Sequence, residues 1–142
     1  MELVEARMQD WEILLEWRND SFTRKNSITS DIISKKEHKE WFSNILKDPN
    51  SKIYIVKEKN KPIGTVRADK NDDEIIISWT VAPESRGKGY GKQMVKLLVE
   101  NLSGKVTAII KNENSASIKV AEFAGLSLEL EKDNILFYSI TK

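Results

Sequence analysis

The chain reads as an α+β domain built on one mixed, mostly antiparallel sheet of about seven strands flanked by about four helices. Three observations predict this. Short apolar runs with strand character recur along the 142 residues, joined by polar turns such as Lys59-Asn60-Lys61, Asn71-Asp72-Asp73 and Lys132-Asp133-Asn134. Between them lie stretches with apolar residues at helical spacing, opened by the capping residues Asp10, Ser34 and Asn114. One apolar run, Glu74–Val81, leads through a glycine-rich turn into a helix and on to a second strand, Val106–Ile110. A crossover of that kind makes the two strands parallel neighbours in an otherwise antiparallel sheet.

The elements follow in order. Glu2 to Ala6 alternates as a short strand. Asp10 caps a helix running to about Arg18, with Trp11, Leu14, Leu15 and Trp17 as its apolar members. Asn19 to Ile33 is polar and rich in Ser, Thr and Asn, which reads as loop. Ser34, with Glu37 at the capping-box position, opens a second helix carrying His38, Trp41, Phe42, Ile45 and Leu46 on one face, ended by Asp48-Pro49-Asn50. Lys52–Lys57, Pro62–Asp69 and Glu74–Val81 form an antiparallel meander. A helix from Gln93 to Leu102 turns Met94, Val95, Leu97 and Leu98 inward, and Ser103-Gly104 stops it. Val106–Ile110 is a compact strand. Asn114 begins a helix that Gly125 ends, and Leu126–Leu130 and Ile135–Ile140 make a closing hairpin. No linker, repeat or low-complexity stretch divides residues 1–142, so one domain is expected.

Composition excludes several functions. A net charge of +1 gives no reason to expect nucleic acid as a partner, and no window approaches the ~18 apolar residues of a membrane span. The N-terminus lacks a signal-peptide layout. The absence of cysteine removes disulfides, thiolate metal sites and cysteine nucleophiles, and fits a reducing, cytoplasmic setting. With His38 the single histidine, no metal centre is expected.

The glycine turn is Val81-Ala82-Pro83-Glu84-Ser85-Arg86-Gly87-Lys88-Gly89-Tyr90-Gly91-Lys92. Alternating glycines let the backbone bend and approach a ligand, and the helix beyond offers unpaired N–H groups to an anion such as a phosphate. Arg86, Lys88 and Lys92 add positive charge there. Arg86-Gly87-Lys88-Gly89-Tyr90-Gly91 after the fourth strand, with Asn114-Ser115-Ala116-Ser117 and Gly125-Leu126 further on, resembles the Gcn5-related N-acetyltransferase (GNAT) superfamily. The likeness spans essentially the whole chain.

The resemblance implies acetyl-CoA as cosubstrate. Backbone amides from Arg86 through Gly87, Lys88, Gly89, Tyr90 and Gly91 to Lys92 would hold its pyrophosphate. Thr80 and Val81 would pair with the pantetheine arm where the fourth and fifth strands splay apart, and the Val81 amide would stabilise the oxyanion. Asn114 and Ser117 would meet the pantetheine from the far side. Many members carry a tyrosine seven residues after the asparagine to protonate the leaving thiolate; here that position is Ala121. Tyr138, Tyr90, Ser117 or a water would serve instead, or the thiolate leaves unprotonated, as a thiol pKa near ~8.5 allows. For a general base, the fourth strand offers Glu74 and Ser78, although Glu74 reads equally as a solvated turn residue.

Trp17-Arg18-Asn19, then His38 with Trp41-Phe42, then Pro62 to Arg67, is similar to a branch of this superfamily that acetylates the 4-amino group of UDP-linked dideoxy amino sugars in nonulosonate (pseudaminic acid-type) biosynthesis. Arg18, Arg24 and Arg67 would then bind a diphosphate, and Trp17 or Trp41 would stack on a ring. Both tryptophans also suit a core, and His38 suits either helix packing or acid–base work. Two other functions stay open: acetylation of protein N-termini, which an acidic groove would favour, and non-catalytic acyl-CoA binding. A small-molecule amine is the expected partner, and a homodimer is compatible with the sequence.

Overall fold

The computed structural model describes all 142 residues. Strands β1 (Glu2–Glu5), β2 (Ser51–Glu58), β3 (Lys61–Asn71), β4 (Glu74–Val81), β5 (Lys105–Lys111), β6 (Ser127–Lys132) and β7 (Ile135–Thr141) form one sheet in the order β1-β2-β3-β4-β5-β7-β6. Every pairing is antiparallel except β4 with β5. The expected α+β architecture and its parallel pair are present. The tight hairpin turns put Lys59, Asn60, Asp133 and Asn134 at positive φ, the primed-turn geometry that matches strand twist.

The helices are α1 (Trp11–Asn19), α2 (Ser21–Asn26), α3 (Lys35–Lys47), α4 (Tyr90–Glu100) and α5 (Ser115–Phe123). Helix α2 falls inside the stretch read as loop. Its N-cap is Asp20, whose side chain accepts from Thr23 N. Six residues carry little helical pattern, and the contacts that hold them come from distant parts of the chain. Helix α4 begins three residues earlier than expected. Gly89, in the left-handed conformation, is its N-cap, so Gly91 reads as turn in the sequence but lies in the first helical turn. Ser34 Oγ accepts from Glu37 N at 3.2 Å, which caps α3 as expected. Asp10 instead satisfies Arg7 N at 2.8 Å, in a short 3-10 turn before α1.

Alternation sends the two strand faces to two cores. Val66, Ala68, Ile77, Val106, Ala108 and Tyr138 pack against Met94, Val95 and Leu98 of α4 and Ala121 of α5. On the opposite face Ile53 and Ile55 meet Leu14 and Trp17 of α1 and Phe42 of α3.

The register of β4 and β5 opens the site. Their pairing runs from Glu74↔Lys105 to Ile77↔Ala108 and stops. From Ser78 to Val81, β4 pairs only with β3, while Ile109 to Lys111 of β5 pair only with β7. The two strands therefore part halfway along β4, as the resemblance implied.

Candidate active site

A cleft of about 810 Å³ occupies the splay and runs from the glycine turn to the ends of α1 and α3. Its lining includes Ser78, Trp79, Thr80 and Val81 of β4, Arg86, Gly87, Gly89, Tyr90, Gly91 and Lys92 of the turn, and Asn114 and Ser117 of α5. The far end is made by Trp17, Arg18, His38, Trp41 and Arg67.

The edge of β4 can be read from one bond. Ala82 N donates to Ile63 O at 2.8 Å, so the N–H and C=O groups of Ala82 and Thr80 face β3. Those of Val81 and Trp79 then face the gap, where β5 has already departed. Val81 thus presents a free N–H as expected. Thr80 does not: its backbone serves β3, and the unpaired edge partner is Trp79, which the sequence reading missed. The alternation of backbone groups along a paired strand was the available signal.

The glycine turn fits a phosphate. Gly87 and Gly89 have φ of 78° and 77°, and a Cβ on either would meet nothing within 4 Å, so it would stand in open space above the turn. No side chain caps the N–H groups at the start of α4. Gly91 has a different task. A Cβ there would lie 3.3 Å from Val120 Cγ2 and 3.4 Å from Val81 Cγ2, so this glycine lets α4 pack onto α5 and β4. Lys92 lines the cleft, whereas Lys88 is exposed and outside the lining. Arg86 is not a free cation. Its Nη2 donates to Asp20 Oδ2 at 2.5 Å and to Thr23 Oγ1 at 3.0 Å. Ser85 was not anticipated: it lines the cleft, is 1 % exposed, and its Oγ has no partner.

Asn114 caps α5. Its Oδ1 accepts from Ser117 N at 3.2 Å and its Nδ2 donates to Ser117 Oγ at 3.0 Å. Ser117 Oγ therefore keeps its own proton available to the cleft.

Two expected catalytic groups lie elsewhere. Glu74 is at the far end of β4, roughly 23 Å of strand from Val81 at ~3.3 Å per residue. It accepts from Thr107 Oγ1 at 2.9 Å and lies 3.9 Å from Lys105 Nζ, beside a separate hollow outside the cleft. Tyr138 is buried in the core beneath α4 and α5, 6 % exposed and not part of the lining. Burial, with Glu122 nearby, pushes its phenol above the ordinary value. Ala121 is fully buried. Of the hydroxyl groups expected to act in catalysis, Ser78, Tyr90 and Ser117 do line the cleft.

The acceptor-side residues also divide. Asn19 clamps the loop ahead of α3 through Nδ2 to Ile33 O at 2.8 Å and Oδ1 from Ile33 N at 2.9 Å. Arg24 donates to Asn19 O and Ser30 O. Both hold the loop together, and neither lines the cleft. Trp17 is 2 % exposed and belongs to the second core while its edge reaches the cleft. Trp41 is the platform: the Arg18 and Arg67 guanidinium carbons lie 4.7 and 5.0 Å from its ring centroid. Arg67 Nε is 2.7 Å from Asp69 Oδ2, an ion pair without hydrogen-bond alignment. Arg18 has no such carboxylate, and its buried Nη1 has no partner. Burial, then repulsion from Arg67, lowers the Arg18 pKa. His38 is 1 % exposed, with Nε2 3.0 Å from Trp11 O and Nδ1 unpartnered. Burial, then Arg18, holds its pKa below 6.5. No aspartate or glutamate lines the cleft anywhere.

A splayed parallel pair, a free strand edge and an uncapped glycine-turned helix together define a transferase that works from a coenzyme A thioester. The chain belongs to the GNAT acetyltransferases, since the family model described as "Acetyltransferase (GNAT) domain" matches residues 1–127. It is 28 % identical over 122 residues to the uncharacterized N-acetyltransferase YfmK of Bacillus subtilis (strain 168), covering 83 % of this chain and 79 % of that protein. Solved structures agree in fold. An aminoglycoside acetyltransferase, AAC(6')-Ib, with coenzyme A superposes at a TM-score of 0.84, with 21 % identity over 99 % of this chain and 94 % of that one. Spermidine N-acetyltransferase from Vibrio cholerae, with CoA and spermine, gives 0.86 and 17 % over 98 % and 94 %. RimL, a ribosomal L7/L12 α-N-protein acetyltransferase with coenzyme A, gives 0.84 and 15 % over 98 % and 92 %. The protein is an acetyl-CoA-dependent N-acetyltransferase.

Proposed function

We propose that the acceptor is a small-molecule primary amine that also carries an anion, namely the amino group of a nucleotide-linked amino sugar. The observation that supports this is the cleft's acceptor end: Arg18 and Arg67 over Trp41, with no carboxylate in the lining. Paired guanidiniums suit a diphosphate, and an indole suits a sugar or base ring. A polyamine or an aminoglycoside is polycationic and would meet like charge here, so the acceptors of those structural neighbours do not fit this lining. A peptide N-terminus also finds no acidic groove. Arg24 drops out of the proposed diphosphate contacts, because it lies outside the cleft lining and is held to its own loop through Nε and Nη1. We assign the reaction to the cytoplasm, a reducing setting that a chain without cysteine fits.

When bound, acetyl-CoA supplies an activated acetyl thioester. The residues around it divide the work. Backbone N–H groups from Gly87 to Lys92 hold the pyrophosphate, and the Trp79 and Val81 edge orients the pantetheine arm. Val81 N–H polarises the acetyl carbonyl. The lining holds no carboxylate and its acceptor end carries two guanidiniums, so the acceptor amine attacks in its neutral, nucleophilic form without a carboxylate base. Glu74 and Tyr138 take no part in this scheme. Ser117 Oγ–H, fixed by Asn114, is the group we assign to protonate the departing thiolate, and the proton that the amine sheds on attack replaces it, relayed through water in the cleft. Incubating the protein with acetyl-CoA and either a UDP-linked 4-amino sugar or a peptide with a free N-terminus tests the acceptor. The reading predicts a mass gain of one acetyl group on the sugar nucleotide; acetylation of the peptide alone would overturn it.

A further inference from the structure

Helix α2 has six residues, too few to be stable alone, yet Phe22, Thr23 and Asn26 form part of the cleft wall. It is fastened at both ends, to the two walls that diverge at the splay. At its start, Asp20 accepts from Thr23 N at 3.1 Å and from Arg86 Nη2, and the Arg86 guanidinium lies 4.5 Å from the Phe22 ring centroid. At its end, Lys111 Nζ donates to Lys25 O at 3.2 Å, and Asn114 Nδ2 to Asn26 O at 3.4 Å. Arg86 follows β4; Lys111 ends β5 and Asn114 follows it. The helix is a strap across the mouth of the gap.

We propose that Asp20 is a positioning residue that clasps this strap through Arg86, so that coenzyme binding and strap closure reinforce each other. The side chain of Arg86, the first residue of the glycine signature, is engaged by Asp20. That carboxyl is held below the usual carboxylate range, chiefly by the Arg86 hydrogen bond. Arg86 therefore serves the coenzyme through its backbone and through α2. A molecule filling the gap touches Phe22 and Thr23 only while α2 is down, and its apparent affinity scales with the closed fraction. In return, a filled gap keeps α2 down and completes the wall that carries Ser27 and Ile28. This coupling needs the coenzyme only and is independent of which amine is acetylated, so it stands or falls apart from the acceptor assignment.

Two substitutions isolate it. Asp20→Asn removes the charge but keeps the cap, because asparagine caps helices as well as aspartate does. Arg86→Gln removes the other partner. Coenzyme A affinity is measured by titration calorimetry for both single variants and the double variant. Amide hydrogen exchange over residues 21–28 is followed with and without coenzyme A. Each single variant is expected to raise Kd roughly three- to tenfold, a charged hydrogen bond discounted for partial exposure. The double variant should be no worse than the weaker single, and the exchange protection that coenzyme A confers on α2 should be lost in Asp20→Asn. Unchanged Kd and protection in Asp20→Asn, or losses that add in the double variant, would overturn the proposal.

Discussion

Arg18→Met removes a guanidinium whose buried Nη1 has no hydrogen-bond partner, while an unbranched side chain stays against Trp41. In the folded protein that guanidinium carries the cost of an unsatisfied buried donor, about 1–3 kcal/mol, and Arg67 repels it. Stacking on Trp41 returns about 0.5–2 kcal/mol. The two nearly cancel, so the substitution should leave stability unchanged or improve it by about 1 kcal/mol, a rise in Tm of about 2–4 °C for a chain of this size. Function should move the other way. An acceptor anion that loses one charge-assisted hydrogen bond forfeits about 1.5–3 kcal/mol, so kcat/KM falls by roughly 10- to 100-fold, nearly all of it through KM. Differential scanning calorimetry and steady-state thiol release on the same preparation read both quantities. A Tm several degrees lower with KM unchanged would make Arg18 a structural residue and refute the reasoning.

Gly89→Val places a β-branched residue at a φ of 77° and a side chain in the open cradle. Coenzyme A binding should fall below detection by calorimetry, with a stability loss of about 1–2 kcal/mol; retained binding would remove the cradle. Tyr138→Phe and Glu74→Gln should each leave kcat within about twofold of wild type, because neither group reaches the cleft; a tenfold loss in either would return it to the catalytic scheme. His38 gives a pH dependence. Its folded pKa lies below the ordinary 6.5, so the unfolded chain takes up that proton first as pH falls. Its contribution to stability is complete above 6.5 and declines as pH drops through that value toward the folded pKa. Thermal unfolding between pH 8 and 5 should follow this course, and the decline should be shallower in Arg18→Met, which lacks one of its two causes.

Much of the donor half was legible because its signals are local. Gly87 and Gly89 announce left-handed backbone, and Glu74–Val81 followed by a helix and Val106–Ile110 forces a parallel neighbour. The acceptor half was harder because its residues compete for partners that sequence does not reveal. Arg24 and Arg18 look alike on paper, but Arg24 is tethered to the Asn19 and Ser30 carbonyls outside the cleft, while Arg18 lines it with its buried Nη1 unpartnered. Helix α2 was hidden for the same reason, since Arg86, Lys111 and Asn114 hold it from 60 or more positions away. Glu74 and Tyr138 were plausible by residue type, and only strand length and face removed them. Trp79 replaced Thr80 at the free edge through a parity that requires knowing which bonds β3 takes.

With Arg18 and Arg67 at its acceptor end and no carboxylate in its lining, the cleft should select an anion-bearing amine. That selection is tested most directly by the ratio of kcat/KM for a UDP-linked 4-amino sugar to kcat/KM for spermidine, measured by thiol release at one ionic strength. Two charge-assisted contacts from Arg18 and Arg67 predict a ratio of at least about 100 in favour of the sugar nucleotide. A ratio below one would contradict the account.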